Sequence, residues 1–164
     1  MDIIVTKWIA LEGTVVITET ETESLLKKFP SRLIQEAKSF TKLLDTSVEE
    51  KIGSEFGIKL IHKVGDTGIF GALWALAEEA NVGLEVDLRK IPVRQETIEI
   101  FNFVDINPYE YSSDGMLLMF CEDGTELLKA LEAAGILASI IGTTTNTKNR
   151  IVSNKDRIRF LTPK

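Results

Sequence analysis

An apolar run that ends in a glycine turn and then opens a helix is the feature that most constrains the fold of this chain. The run covers residues 58–64, and the turn that follows reads Gly65-Asp66-Thr67-Gly68. A strand that enters a helix through such a turn leaves backbone N–H groups unpaired at the helix N-terminus, where the helix dipole favours an anion. The sequence therefore predicts a strand–turn–helix unit whose turn is a candidate site for a small anionic substrate.

Two roles are open for the polar residues of this unit. His62, the only histidine in the chain, can act as a general acid or base or contact a ligand, since histidine gains and loses a proton near neutral pH. It can equally be a strand-end histidine bonded to neighbouring backbone. Asp66 or Thr67 can in the same way be the N-cap of the helix, and the Asp66 carboxylate would itself repel a phosphate.

Length and composition predict one globular domain over residues 1–164, with 44% hydrophobic and 27% charged residues. A net charge of −6 disfavours nonspecific nucleic-acid binding and gives no reason to expect an anionic membrane surface as a partner. No apolar run approaches the roughly 20 residues that span a bilayer. The single cysteine, Cys121, permits no internal disulfide, and the N-terminus lacks the pattern of a signal peptide. We therefore expect a cytoplasmic protein without nucleic-acid or membrane partners.

Hydrophobic periodicity predicts strands that alternate with helices and end in a hairpin. Strands are expected at 2–9, 58–64, 84–88, 116–121 and 136–141, with a hairpin of 150–152 and 157–160; helices are expected at 30–44, 47–56, 68–81, 95–103 and 123–135. Residues 14–18 fit a strand or the first turns of a helix, and both interpretations stay open. The fold class that follows is α+β, an α/β sandwich with a mixed sheet covered by helices.

Four local signals refine these boundaries. The sequence Leu11-Glu12-Gly13-Thr14 predicts a turn, and Gly83 is a candidate glycine stop for the helix before it. Asp123 and Glu126 have the spacing of a capping box, and the polar stretch 142–149 is typical of a loop.

The chain resembles the C-terminal domain of the AIR synthase superfamily, and most of all its hydrogenase-maturation-factor-like branch. This superfamily includes aminoimidazole ribonucleotide synthetase, selenophosphate synthetase, thiamin-phosphate kinase and the hydrogenase-maturation dehydratase. The likeness covers nearly the whole chain and is carried by residues 2–14, 62–74, 82–87, 91–94, 107–109, 113–118 and 140–142.

The resemblance implies a substrate-side domain of an ATP-dependent enzyme. Relatives place an ATP-binding lobe before this domain, so ATP and Mg²⁺ are expected only together with that N-terminal lobe, and no cofactor or metal is expected in this chain. Glu12, Gly13 and Thr14 would lie near the cleft between the lobes. The chain would be either an excised domain or a natural protein without the lobe, and Met1 directly before the first strand favours a designed cut.

Two departures from the family pattern limit what can be transferred. The pattern His-Asp-x-Thr-x-Gly-Gly reads His62-Lys63-Val64-Gly65-Asp66-Thr67-Gly68 here, so Lys63 stands where the family has an acid. The chain also ends without the cysteine that carries the modified group in the hydrogenase-maturation dehydratase, which argues against that activity. His62 is the candidate catalytic residue.

A second hypothesis is a stand-alone, non-enzymatic module that dimerises or binds a small anion. The Lys63 substitution and the absence of an ATP lobe both favour it. On either hypothesis we expect a homodimer; on the first, the first strand is freed from the missing lobe and would pair across the dimer to cover an exposed edge.

Overall fold

The computed structural model describes residues 1–163, so Lys164, the last residue of the predicted domain, lies outside it. Strands alternate with helices as predicted. The strands are β1 (Asp2–Thr6), β2 (Leu60–Lys63), β3 (Gly83–Asp87), β4 (Leu117–Cys121), β5 (Ala138–Thr145), β6 (Arg150–Asn154) and β7 (Arg157–Phe160). The helices are α1 (Leu11–Thr20), α2 (Thr22–Lys28), α3 (Ser31–Ser39), α4 (Ser47–Glu55), α5 (Gly68–Ala80), α6 (Gln95–Val104) and α7 (Thr125–Ala133).

The strands form one mixed sheet in the order β2-β4-β1-β5-β3-β6-β7. Neighbouring strands are antiparallel except for β3 and β6, which run parallel, while β6 and β7 form the predicted hairpin. The α+β fold class and the mixed sheet covered by helices are therefore confirmed.

Strand β1 lies inside the sheet, between β4 and β5. Its backbone groups are paired on both sides, so this strand offers no free edge to a second copy. The expectation that the first strand pairs across a dimer is wrong for that reason. The edges are formed by β2 and β7.

Alternation along β1 divides the core between the two faces of the sheet. Ile3 and Val5 pack on the face covered by α5, together with Ile69 and Leu73. Ile4 points the other way, into a second cluster of apolar side chains on the face covered by α4 and α7. A third cluster joins α1, α3 and α6, and it contains Ala10, Ile17, Leu25, Ile34, Ala37, Ile100 and Phe101.

Residues 11–14 begin helix α1, so the predicted turn is wrong, and the open question over residues 14–18 is settled in favour of a helix. Threonine is a poor helix former, but here each buried hydroxyl bonds the carbonyl one turn back: Thr14 Oγ1 donates to Ala10 O and Thr18 Oγ1 to Thr14 O, both at 2.6 Å. Thr14 Oγ1 also lies 2.7 Å from the hydroxyl of Thr97 in α6. Packing against α6 thus outweighs the β-propensity of this segment.

Two helix boundaries differ from the predicted signals. Helix α5 ends at Asn81, which adopts a left-handed conformation, while Gly83 already belongs to β3. Asparagine tolerates this conformation and can replace glycine as a helix stop. The capping box is also wrong: Gly124 precedes α7, and Asp123 Oδ1 instead accepts a hydrogen bond from the Thr125 N–H at 3.0 Å.

Strand β5 extends to Thr145, so the first half of the predicted loop 142–149 is part of the sheet. Its polar threonines pair with β3, which places Thr143, Thr144 and Thr145 opposite Glu85, Leu84 and Gly83. A polar β-branched segment forms a strand here because it has a neighbour on each side.

The close approach of β5 to β3 makes Gly142 a sensitive position. A Cβ atom there would collide with the carbonyl oxygen of Glu85 and lie 2.9 Å from Val86 Cα, both of them backbone atoms that cannot rotate away. We expect Gly142→Ala to lower the free energy of unfolding by about 3 kcal/mol, measured by urea denaturation followed by circular dichroism. The control is Gly65→Ala, where the nearest atom to the new Cβ is Asp114 Oδ1 at 3.9 Å. Equal midpoints for the two variants would contradict this account.

Candidate functional site

The connection between β1 and α1 is a strained elbow that positions the site. Lys7 and Ala10 both have positive φ, 60° and 54°, which is costly for residues other than glycine. The conformation is maintained by contacts with the rest of the fold. The Ala10 N–H donates to Ser113 Oγ at 2.8 Å, and the Ile9 N–H donates to Pro92 O at 3.1 Å. The elbow places Glu12 in the first turn of α1.

Glu12 forms a carboxyl pair with Asp114. A hydrogen bond with Asp114 raises the pKa of Glu12 above its usual value, and burial and the charges of Asp114 and Asp66 act in the same direction, while the hydrogen bond from Ser112 opposes them. Ser112 Oγ donates to Glu12 Oε2 at 3.1 Å. A hydrogen bond between two carboxyl groups requires a proton on one of them, so the neighbouring carboxyl favours the protonated form of Glu12. Such a pair can both donate and accept a proton.

The pair opens into a cavity of about 370 Å³. This volume is in the range of small-molecule sites. The wall comes from four separate parts of the chain, the first turn of α1, the segment before α4, the end of β2 and the segment before β4; the lining residues are Glu12, Leu44, Thr46, Lys63, Val64, Asp114, Gly115 and Met116. The Lys63 side chain is 65% exposed and lies 3.7 Å from Glu50, so its ammonium is accessible to a ligand in the cavity.

The predicted anion-binding turn lies beside this cavity, in an environment rich in oxygen atoms. Gly68 opens α5 with a φ of +72°, and a Cβ there would lie 2.6 Å from the carbonyl oxygen of Tyr109 and 2.7 Å from that of Tyr111. The Gly68 N–H donates to Gly65 O at 3.0 Å. Carbonyl oxygens at a helix N-terminus disfavour a further anion, as does the Asp66 carboxylate. Anion binding by residues 65–68 stays a prediction that the local charges do not favour.

The other predicted residues have distinct places. His62 pairs with Leu118 across β2 and β4, so it faces the α5 side of the sheet and is not among the residues that line the cavity. Gly13 packs against the segment before β4, and its N–H donates to Ser112 O at 3.1 Å. Of Glu12, Gly13 and Thr14, only Glu12 lines the cavity. The catalytic role of His62 stays a prediction.

Sequence reasoning missed Asp114 and Ser112 as site residues. They belong to the polar run Ser112-Ser113-Asp114-Gly115 directly before the buried strand β4. Polar residues that end a loop at the edge of a buried strand were the available signal, but the fold was needed to place them beside Glu12. Within residues 1–163, no group of three or more His, Cys, Asp or Glu side chains could hold a metal ion. None of the described helices has the length and apolar character to cross a membrane.

The guanidinium of Arg94 is held by carboxylates and an aromatic ring. Its guanidinium lies 3.3 Å from Glu36 and 3.5 Å from Glu96 and stacks over the ring of Trp8 at 5.1 Å. Two carboxylates and an aromatic face leave it little excess charge for a ligand.

The raised pKa of Glu12 makes a prediction for the pH dependence of stability. A carboxyl whose pKa is higher in the folded state destabilises that state as the pH rises above its ordinary value of 4.5 and the proton is lost. Glu12→Gln has no proton to lose in this pH range, so the variant avoids the destabilisation. Its amide can still donate a hydrogen bond to Asp114. We expect the variant to gain stability relative to the wild type between pH 4 and pH 7, measured by urea denaturation. Glu19→Gln, an exposed change on the same helix, should show no such gain, and an equal gain would contradict the carboxyl pair.

Comparison with known proteins identifies the fold. The family model for the AIR synthase related protein, C-terminal domain, matches residues 3–154. The carbamoyl dehydratase HypE of Azotobacter vinelandii is 33% identical over 89 residues, which cover 52% of this chain and 26% of that protein.

Solved structures agree with this assignment at the level of the fold. E. coli HypE superposes with a TM-score of 0.75 at 15% identity, over 98% of this chain and 49% of that one. The hydrogenase maturation protein HypE in complex with ATP gives a TM-score of 0.71 at 12% identity, over 99% of this chain and 50% of that one. The chain thus spans about half the length of these structures. The family inferred from the sequence is confirmed: the chain belongs to the AIR synthase related proteins and has the fold of their C-terminal domain.

Proposed function

We propose that this chain is the substrate-side domain of an ATP-dependent, HypE-like enzyme, in which ATP and Mg²⁺ are bound by a separate lobe. The family match over residues 3–154 is the observation that carries the proposal. The half-length coverage of HypE supports it, since one of these relatives was solved with ATP. The chain by itself would not turn over ATP.

The Glu12–Asp114 pair would serve the second substrate of this enzyme. A carboxylic acid beside a carboxylate presents one donor and several acceptors, which match a polar group with an N–H and an oxygen side by side, such as a carboxamide. The relative named carbamoyl dehydratase has a substrate group of this class in its name. In such a site the pair holds the substrate and takes up or supplies the proton as ATP activates the substrate oxygen.

The position of Lys63 supports an anionic group at the mouth of the same cavity. Its side chain is exposed and lines the same cavity as Glu12 and Asp114, so a ligand with a polar uncharged end and a negative end would meet both the carboxyl pair and the ammonium. A transferred phosphoryl group is such a negative end. We therefore propose Lys63, in place of the Gly65–Gly68 turn, as the contact for the small anionic substrate.

The alternative is a non-enzymatic module that dimerises or binds a small anion. The observation that favours it is Lys63 itself, a cation at the position where the family pattern has an acid. The two functions predict different properties of the native protein: the enzyme would include an ATP-binding lobe and hydrolyse ATP, and the module would do neither.

The test starts from the native protein. Immunoblotting and intact mass spectrometry of source-cell extract should find a protein near twice 18.3 kDa, the mass of this chain, and that protein should hydrolyse ATP in the presence of Mg²⁺ and the second substrate. Asp114→Asn in the full-length protein should lower turnover about 100-fold, as expected for loss of a general acid–base group. The matched control, Asp105→Asn, changes a carboxylate that does not line the cavity.

A native mass of 18.3 kDa without ATP turnover would overturn the enzymatic proposal and favour the module. Full turnover in Asp114→Asn, with the longer protein present, would keep the ATP-dependent enzyme but remove the carboxyl pair from its mechanism.

A further inference from the structure

A buried lysine lies beneath the candidate site and takes no part in the chemistry described above. Lys7 is 6% exposed. Its Nζ donates to Leu43 O at 2.6 Å and to Asp45 O at 2.8 Å, and it lies 2.9 Å from Glu49 Oε2. The ammonium therefore donates two hydrogen bonds to backbone carbonyls and forms an ion pair with the Glu49 carboxylate.

The carboxylate that faces Lys7 depends on this ammonium. Glu49 is 1% exposed, and neither of its carboxylate oxygens has a hydrogen-bond partner among residues 1–163. A buried carboxylate is costly unless a cation compensates it, and Lys7 is the cation in contact with it. The ammonium therefore lies in a buried position lined by oxygen atoms, where bulk water does not compensate the charge of Glu49 in its place.

A short chain of contacts connects Lys7 to Asp114. The two carbonyls it binds flank Leu44, and Leu44 packs against Gly115: a Cβ on Gly115 would lie 2.9 Å from Leu44 Cδ2 and 3.1 Å from Leu44 Cα. Gly115 has a φ of +106° and directly follows Asp114. The segment that Lys7 holds is thus pressed against the backbone that carries the Asp114 carboxyl, and both line the same cavity.

Lys7 is also connected to Glu12 through the backbone. It is the first residue of the elbow that leads through Ala10 to Glu12, and its φ of 60° turns the chain toward α1. One side chain therefore joins the part of the chain that carries Glu12 to the wall that supports Asp114.

We propose that Lys7 is a positioning residue, whose buried ammonium fixes residues 43–46 against Gly115 and so sets the Glu12–Asp114 carboxyl pair. The proposal concerns the same cavity as the proposed function. Its test measures the carboxyl pair directly, so ATP turnover can fail while this inference stands.

The test is a ¹³C NMR titration of the Glu12 and Asp114 carboxyls in the 164-residue chain, in the wild type and in Lys7→Gly. Glycine suits the positive φ at this position, so the substitution removes the ammonium without adding backbone strain. The charged groups that act on Glu12 in this titration are Asp114 and Asp66, with Lys63 on the same cavity wall.

The direction in which the pKa of Glu12 changes shows whether Lys7 positions the carboxyl pair or acts only through its charge. If Lys7 holds the pair in place, its loss weakens the Glu12–Asp114 hydrogen bond, and the pKa of Glu12 falls toward its ordinary value. If Lys7 acts only as a nearby positive charge, its loss raises the pKa of Glu12. A rise or an unchanged pKa in Lys7→Gly overturns the proposal.

Chemical rescue and a matched control complete the experiment. n-Butylammonium, which replaces the methylenes and ammonium that Lys7→Gly removes, should restore the wild-type titration, whereas tetramethylammonium at equal concentration should not. Arg150→Met removes another buried cation, 7% exposed and paired with Glu78, and should lower stability while leaving the pKa of Glu12 unchanged. An equal fall in Arg150→Met would show a general loss of stability and overturn the proposal.

A second variant covers the case in which Lys7→Gly does not fold. Lys7→Met combined with Glu49→Gln removes both buried charges and keeps the volume, a replacement that buried ion pairs often tolerate. Its titration should show the same fall in the pKa of Glu12, and a wild-type titration would overturn the proposal.

Discussion

The central position of β1 is the constraint on which the rest of the structure depends. Four of its five residues pair with β4 on one side and all five pair with β5 on the other, so the strand fixes the middle of a sheet whose edges are distant in sequence. Alternation along the same strand supplies Ile3 and Val5 to one core and Ile4 to the other. The elbow that follows β1 then starts α1 and brings Glu12 to the sheet end where the cavity forms.

The site combines a strained backbone with two neighbouring carboxyl groups, and each of these features costs free energy by itself. The elbow keeps Lys7 and Ala10 at positive φ, and the neighbouring carboxyl of Asp114 raises the pKa of Glu12 above its ordinary value. Each is maintained by contacts with segments far away in sequence, such as the hydrogen bond from Ala10 to Ser113. Strain and a raised carboxyl pKa at one cavity are typical of a functional site.

Local sequence patterns predicted most of the helices and strands. They failed where contacts with an element distant in sequence determine the secondary structure. The hairpin at 150–160 and helix α5 were predicted because their periodicity and turn residues are strong. Residues 11–14 were predicted as a turn because they contain a glycine, but packing against Thr97 makes them part of a helix. Residues 142–145 were predicted as a loop because of their threonine run, but pairing with β3 makes them part of a strand. Asp114 was missed because nothing local to residues 112–115 indicates that Glu12 lies opposite.

The sequence by itself determined the α+β class, the family and the strand–turn–helix unit, because these depend on hydrophobic period, turn residues and motif order along the chain. Only the tertiary structure decided that β1 is central, that Glu12 meets Asp114, and that Lys7 lies buried against Glu49. These relations join residues about 40 to 100 positions apart. Contacts of that separation are set by how the elements pack and by burial of charge, and no local pattern encodes them.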